Sequence, residues 1–123
     1  MKSFLIVDDS SVIRKIARQI LEAIGFSCSE AENGKIALDS CKTKLPDCVL
    51  LDWNMPVMDG LQFISALRNL PDGKKPIVIF CTTENDTKHI QDALTAGANE
   101  YIMKPFDADI LRTKLQQLGV IET

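Results

Sequence analysis

The chain has 123 residues, 46% of them hydrophobic and 25% charged, and 14 Lys and Arg against 17 Asp and Glu leave a net charge of −3. That length suits one domain with an ordinary buried core. Nucleic acid is excluded as an expected partner, because phosphate backbones are held by clustered cations and the two basic doublets, Arg14-Lys15 and Lys74-Lys75, stand far apart in the sequence.

In chain order, apolar runs alternate with helical periods. Ser3 to Val7 (SFLIV) is a short apolar run that ends on two acids. From Ser11 the period changes, with Val12, Ile13, Ile16, Ala17, Ile20, Leu21 and Ile24 on one helical face and Gly25 suited to the position just past the helix end. Phe26 to Ala31 is a weaker, more polar strand. Asn33-Gly34 leads into a second stripe of Ile36, Ala37, Ser40, Cys41 and Leu45, stopped by Pro46. Cys48 to Leu51 (CVLL) is the third strand and again ends on an acid, Asp52. Asp59-Gly60 opens the third helix, with Leu61, Ile64 and Leu67 inward, and Pro71-Asp72-Gly73 is a turn. Pro76 to Cys81 (PIVIFC) is the fourth strand. Ile90, Ala93, Leu94 and Gly97 mark the fourth helix, Tyr101 to Met103 the fifth strand, and Ile110, Leu111, Leu115 and Leu118 the last helix.

Five β-α units in a row, with strands that are continuously apolar and not alternating, predict a parallel sheet covered on both faces. Right-handed crossovers make it an α/β doubly wound, five-stranded, flavodoxin-like (βα)5 fold. A single domain over residues 1–123 is expected, with no output domain, since the chain stops five residues after Leu118. No apolar run approaches the roughly 20 residues of a membrane span, and the N-terminus lacks the apolar core and cleavage site of a signal peptide, so a cytoplasmic location without membrane contact is expected. Cys28, Cys41, Cys48 and Cys81 form no C-x-x-C pair; they are read as reduced thiols serving as small apolar residues.

Sites of open α/β sheets lie outside the carboxyl ends of the strands. Here those ends carry Asp8-Asp9, Asp52, Thr82-Thr83 followed by Glu84, and Lys104-Pro105. Three clustered carboxylates repel one another and call for a cation. Oxygen ligands without His or Cys favour a hard ion, Mg²⁺ first, because it accepts one or two carboxylates and completes its octahedron with water and phosphate. Metal, lysine and hydroxyl together suit the equatorial oxygens of a phosphoryl group, and a carboxylate can be the nucleophile that receives it. Asp52, between the other groups, is the best acceptor. Any one acid taken alone could be a helix cap, Asp8 or Asp9 on the first helix above all.

The stretches IVDDSS, LLDWNMPVMDG, CTTEND and AGANEYIMKPF, at their spacing, resemble the receiver domain of two-component response regulators over essentially the whole chain. Within that family Trp53, Asn54, Glu84 and Tyr101 are most similar to the stand-alone chemotaxis members. The resemblance implies that Asp52 accepts a phosphoryl group from a histidine kinase. It implies Mg²⁺ on Asp9 and Asp52 through carboxylates, on Asn54 through its backbone carbonyl and on Asp8 through water. Thr82 and Lys104 would hold the phosphoryl group, with the Lys104-Pro105 bond cis. Gly60 would allow the tight turn after the third strand, and Met55-Pro56 would shape the adjoining loop. Thr82 and Tyr101 would then move, and the face of the fourth helix, fifth strand and fifth helix would change its affinity for a downstream protein. The implied protein is a monomer that catalyses only its own phosphorylation and dephosphorylation. Asn54, Thr83 and Glu84 would tune hydrolysis; Thr83 departs from the small residue usual there and is expected to narrow access to Asp52 or restrict Tyr101.

Other residues invite less. His89, the only histidine, is expected to be a solvated residue on a polar helix face, and Trp53 a partly exposed packing residue. Three other functions compete. A phosphorelay intermediate or phosphate sink would use the same residues. A haloacid-dehalogenase-like phosphatase would want D-x-D after the first strand, where the acids are adjacent. A flavodoxin-like cofactor binder would want a hydroxyl-rich loop where Asp8-Asp9 repels phosphate.

Overall fold

The computed structural model describes residues 2–53, 55–82 and 87–122. Five strands, β1 (Ser3–Val7), β2 (Ser27–Ala31), β3 (Cys48–Asp52), β4 (Ile77–Thr82) and β5 (Glu100–Met103), alternate with five helices, α1 (Ser11–Ile24), α2 (Gly34–Thr43), α3 (Gly60–Arg68), α4 (Thr87–Ala96) and α5 (Ala108–Gln117). Every pairing is parallel and the strand order is β2-β1-β3-β4-β5, the doubly wound sheet that the sequence implies.

The strands read as continuous apolar runs because successive side chains point to opposite faces and both faces are covered. Leu5, Val7, Val49, Leu51, Val78 and Phe80 pack with Ala37, Leu38, Phe63, Ile64, Leu67 and Ala93 of α2, α3 and α4. Phe4, Ile6, Leu50, Ile79 and Cys81 pack with Ala17, Leu21, Leu111 and Leu115 of α1 and α5. Only β2, at the sheet edge, is polar and largely exposed. The thiols belong to this packing: all four are free, and burial pushes Cys41 and Cys48 up to about 11 and Cys81 higher still.

Four helical stripes differ from expectation: Leu94 of α4 and Ile110 of α5 are exposed, and α1 and α2 depart further. Val12 and Ile16 of α1 are exposed, as are Ile36 and Ser40 of α2, while Leu38 is buried. At 3.6 residues per turn Val12 and Ile16 lie roughly 100° or more around the helix from Ala17, beyond the strip that a helix lying on a sheet can cover. The helix ends follow local chemistry. Ser10 caps α1 by accepting from the Ile13 N–H, and Gly25 closes it at φ 119°. Asp59 and Gln62 form a reciprocal capping box on α3.

Candidate functional site

The order β2-β1-β3 means that the chain leaves β1 and β3 in opposite directions across the sheet, so a crevice opens beyond their carboxyl ends. Asp8 and Asp9 follow β1 on one side of it and Asp52 ends β3 on the other. Because Ser10 caps α1, neither Asp8 nor Asp9 is spent as its cap. Thr82 ends β4. Lys104 follows β5, held there by its own N–H, which donates to the Thr82 carbonyl at 2.7 Å, and its bond to Pro105 is cis. Asp8, Asp9, Asp52, Thr82, Lys104 and Trp53 line one open cleft of about 560 Å³.

Three of these polar residues are withdrawn from solvent: counting backbone and side chain together, Asp8 is 4% exposed, Asp52 9% and Thr82 5%. Lys104 holds the acids together. Its Nζ donates to Asp8 Oδ2 at 2.6 Å and to Asp52 Oδ1 at 3.0 Å. Asp8 Oδ1 accepts from the Ser10 N–H at 2.9 Å. Burial raises the Asp52 carboxyl above the usual carboxylate range, with Asp8 adding to the rise and Lys104 opposing it. On Lys104 burial works downward, but the hydrogen bond to Asp8 and the charges of Asp52 and Asp8 outweigh it, and the net shift is upward.

Asp8, Asp9 and Asp52 can each offer an oxygen within 4.8 Å of the others. One ammonium against three carboxylates leaves the pocket short of positive charge. An all-oxygen donor set of this kind fits a hard divalent cation and offers a soft metal no preferred ligand.

The loop after β3 is shaped by close backbone approach. The Gly60 N–H donates to the Trp53 carbonyl at 3.0 Å, and a Cβ on Gly60 would stand 2.6 Å from the Asp52 carbonyl oxygen. Gly34 at the start of α2 donates to the Met58 carbonyl at 3.1 Å. Val57, exposed in the same loop, has φ 71°, a costly conformation for a β-branched residue.

His89 corrects expectation. It is half-buried, and its ring stacks on Trp53 with centroids 4.0 Å apart and planes tilted by 33°. Periodicity placed it on a polar face of α4 but gave no hint that Trp53 would reach that face from β3. Trp53 is partly exposed, as expected, with Phe80 edge-on at 6.1 Å. Tyr101 is half-buried, with Lys114 Nζ 5.0 Å from its ring centre. Asn54, Thr83 and Glu84 lie outside the described residues.

The chain matches the model of the response regulator receiver domain over residues 4–116. It belongs to that family. Receiver domains are phosphorylation-switched modules of two-component signalling, which sets aside the phosphatase and cofactor-binder alternatives. This receiver domain is 39% identical over 114 residues to the chemotaxis protein CheY1 of Helicobacter pylori, covering 91% of this chain and 92% of that one. The crystallised chemotaxis protein CheY4 of Vibrio cholerae superposes with a TM-score of 0.90 at 32% identity, covering 95% of this chain and 98% of that one. The receiver domain of a sensor histidine kinase from Pseudomonas aeruginosa, solved with a magnesium ion coordinated in its active site cleft, gives a TM-score of 0.86 at 27% identity over 94% of this chain and 95% of that one.

Proposed function

We propose that this receiver domain accepts a phosphoryl group on Asp52 from a histidine kinase in a Mg²⁺-dependent reaction and relays the change to a protein target, in chemotaxis. The observation that carries the reading is the Lys104 ammonium bridging Asp8 and Asp52 inside a cleft lined by three strand-end carboxylates. The chemotaxis assignment rests on a relative that matches nearly end to end.

In this reading a carboxylate oxygen of Asp52 attacks phosphorus, the bond from phosphorus to the donor's imidazole nitrogen breaks, and the electron pair leaves with that nitrogen. Asp9, Asp52 and the Asn54 carbonyl would hold Mg²⁺ directly and Asp8 through water; the ion supplies positive charge against the phosphoryl oxygens. The Pseudomonas receiver domain with its coordinated magnesium supports the choice of ion. Lys104 would move from bridging two carboxylates to pairing with the phosphoryl group, and the Thr82 hydroxyl would donate to it. Tyr101 follows as the switch, and α4, β5 and α5 form the face a target reads. The protein acts on no other substrate, works as a monomer in the cytoplasm, and touches neither nucleic acid nor membrane. Among the described residues no helix is long and apolar enough to cross a membrane.

Incubation with acetyl phosphate and Mg²⁺, followed by borohydride reduction and peptide mass spectrometry, is expected to find homoserine at position 52. A reduced residue elsewhere, or none, would overturn the assignment. Trp53 gives a second measure, because it adjoins Asp52 and lines the cleft. Its emission is expected to change when Mg²⁺ and beryllofluoride are added together. A flat response with both present would count against metal and phosphoryl group meeting beside that ring.

A further inference from the structure

Between β1 and α1 the chain turns through Asp8, Asp9 and Ser10, and this turn decides where two of the three carboxylates point. Its Asp8 N–H donates to the Ala31 carbonyl at 3.1 Å and its Ser10 N–H to Asp8 Oδ1 at 2.9 Å. The group between the two acids is the Asp8–Asp9 peptide, and its carbonyl accepts from Arg14 Nη1 at 2.6 Å. Arg14, whose side chain is 16% exposed, is itself fixed: its Nε donates to Glu30 Oε1 at 3.0 Å.

The neighbouring arginine shows that the contact with the turn is separate from the surface ion pair. Arg18 shares the same carboxylate, with Nη1 donating to Glu30 Oε2 at 2.8 Å, but its other nitrogens go to the Cys28 carbonyl and to Glu22. Two arginines thus tie α1 to β2 through Glu30, and only Arg14 reaches on to the acidic turn. A planar guanidinium is suited to holding a carbonyl and a carboxylate at once in fixed directions.

We propose that Arg14 is a positioning residue of the acidic pocket: its guanidinium, braced by Glu30, holds the Asp8–Asp9 peptide so that both carboxylates serve the cleft. It also brings a second positive charge close to a cluster in which Lys104 faces three acids. The proposal rests on reading that cluster as a cation site. Partners that orient metal ligands typically cost 10- to 100-fold in metal affinity when removed.

The test compares Arg14→Met with Arg18→Met in the full chain, because each loses one contact to Glu30 and only the first loses the turn. Calorimetry is expected to show a Mg²⁺ dissociation constant raised about tenfold in Arg14→Met and unchanged in Arg18→Met, while melting temperatures fall alike. Without metal, hydrogen exchange at the Ser10 amide is expected to quicken in Arg14→Met and not in Arg18→Met. Parent-like affinity and exchange in Arg14→Met, or equal effects in both variants, would overturn the proposal. If the parent protein itself binds no Mg²⁺, the cation reading fails, and exchange at Ser10 still decides the positioning role. Should Arg14→Met not fold, Arg14→Lys takes its place: one ammonium cannot span both the Asp8 carbonyl and Glu30, so weaker Mg²⁺ binding and faster Ser10 exchange are again expected, and parent-like values again overturn it.

Discussion

Lys104→Met is expected to cost about 3–5 kcal/mol of stability at neutral pH, the size typical of removing one partner from a buried ion pair. Methionine fills similar space without the charge. Asp8 and Asp52, with side chains 5% and 12% exposed, would then face each other with no ammonium between them. The pH dependence has a definite sign. Burial already raises the Asp52 carboxyl, and Lys104 opposes the rise, so its removal moves that carboxyl further up. The folded state then carries more protons than the unfolded chain from the ordinary aspartate value of 3.8 up to the raised folded value, and stability falls as pH rises through that window. Acidification should therefore recover stability in the variant, and so should Mg²⁺, which binds only the folded form. Urea unfolding at neutral and mildly acidic pH, with and without Mg²⁺, measures all three. A loss under about 1 kcal/mol that responds to neither would mean that the ammonium is not the counter-charge of a buried cluster, since exposed pairs contribute about that much or less.

The architecture was legible because its signals are local and repeated. Apolar runs such as PIVIFC are covered on both faces, and Gly25 and Asp59 end and begin helices by their own backbone chemistry. The site was legible because the doubly wound topology gathers strand ends, and that alone brings Asp8, Asp52 and Lys104 to one edge of the sheet. What stayed hidden depends on long side chains reaching across elements. Arg14 reads as one more surface cation on α1, yet it bonds the turn between two acids. Arg68 ends α3 and donates to the carbonyls of Gly73, Pro76 and Gly97, a staple that no periodicity announces. The contact of His89 with Trp53 is hidden for the same reason: a helical wheel assigns a face but does not say which ring lies against it.

Gly60→Ala is expected to slow phosphorylation of Asp52 by small donors on the order of 10²-fold, because small displacements of a reacting atom carry costs of that size. The alanine methyl would stand 2.6 Å from the Asp52 carbonyl oxygen and 3.3 Å from the Trp53 Cα. Both neighbours are backbone, so no flexible side chain can swing aside. Either the end of β3 moves or the first turn of α3 does. The capping box of Asp59 and Gln62 holds that turn, and the Gly60 N–H ties it to Trp53 at 3.0 Å. The strain therefore falls on Asp52, the proposed acceptor, with a stability loss of about 1–3 kcal/mol typical of overpacking. Gly25→Ala is the matched control. Gly25 has φ 119° and nothing within 4 Å of an added Cβ, so its alanine pays for backbone conformation alone, far from the cleft. Both variants should be destabilised, and only Gly60→Ala should lose phosphorylation rate when uptake from acetyl phosphate is followed through Trp53 emission. Equal rates in the two would show that the tight approach of α3 serves the fold and leaves the acceptor where it is.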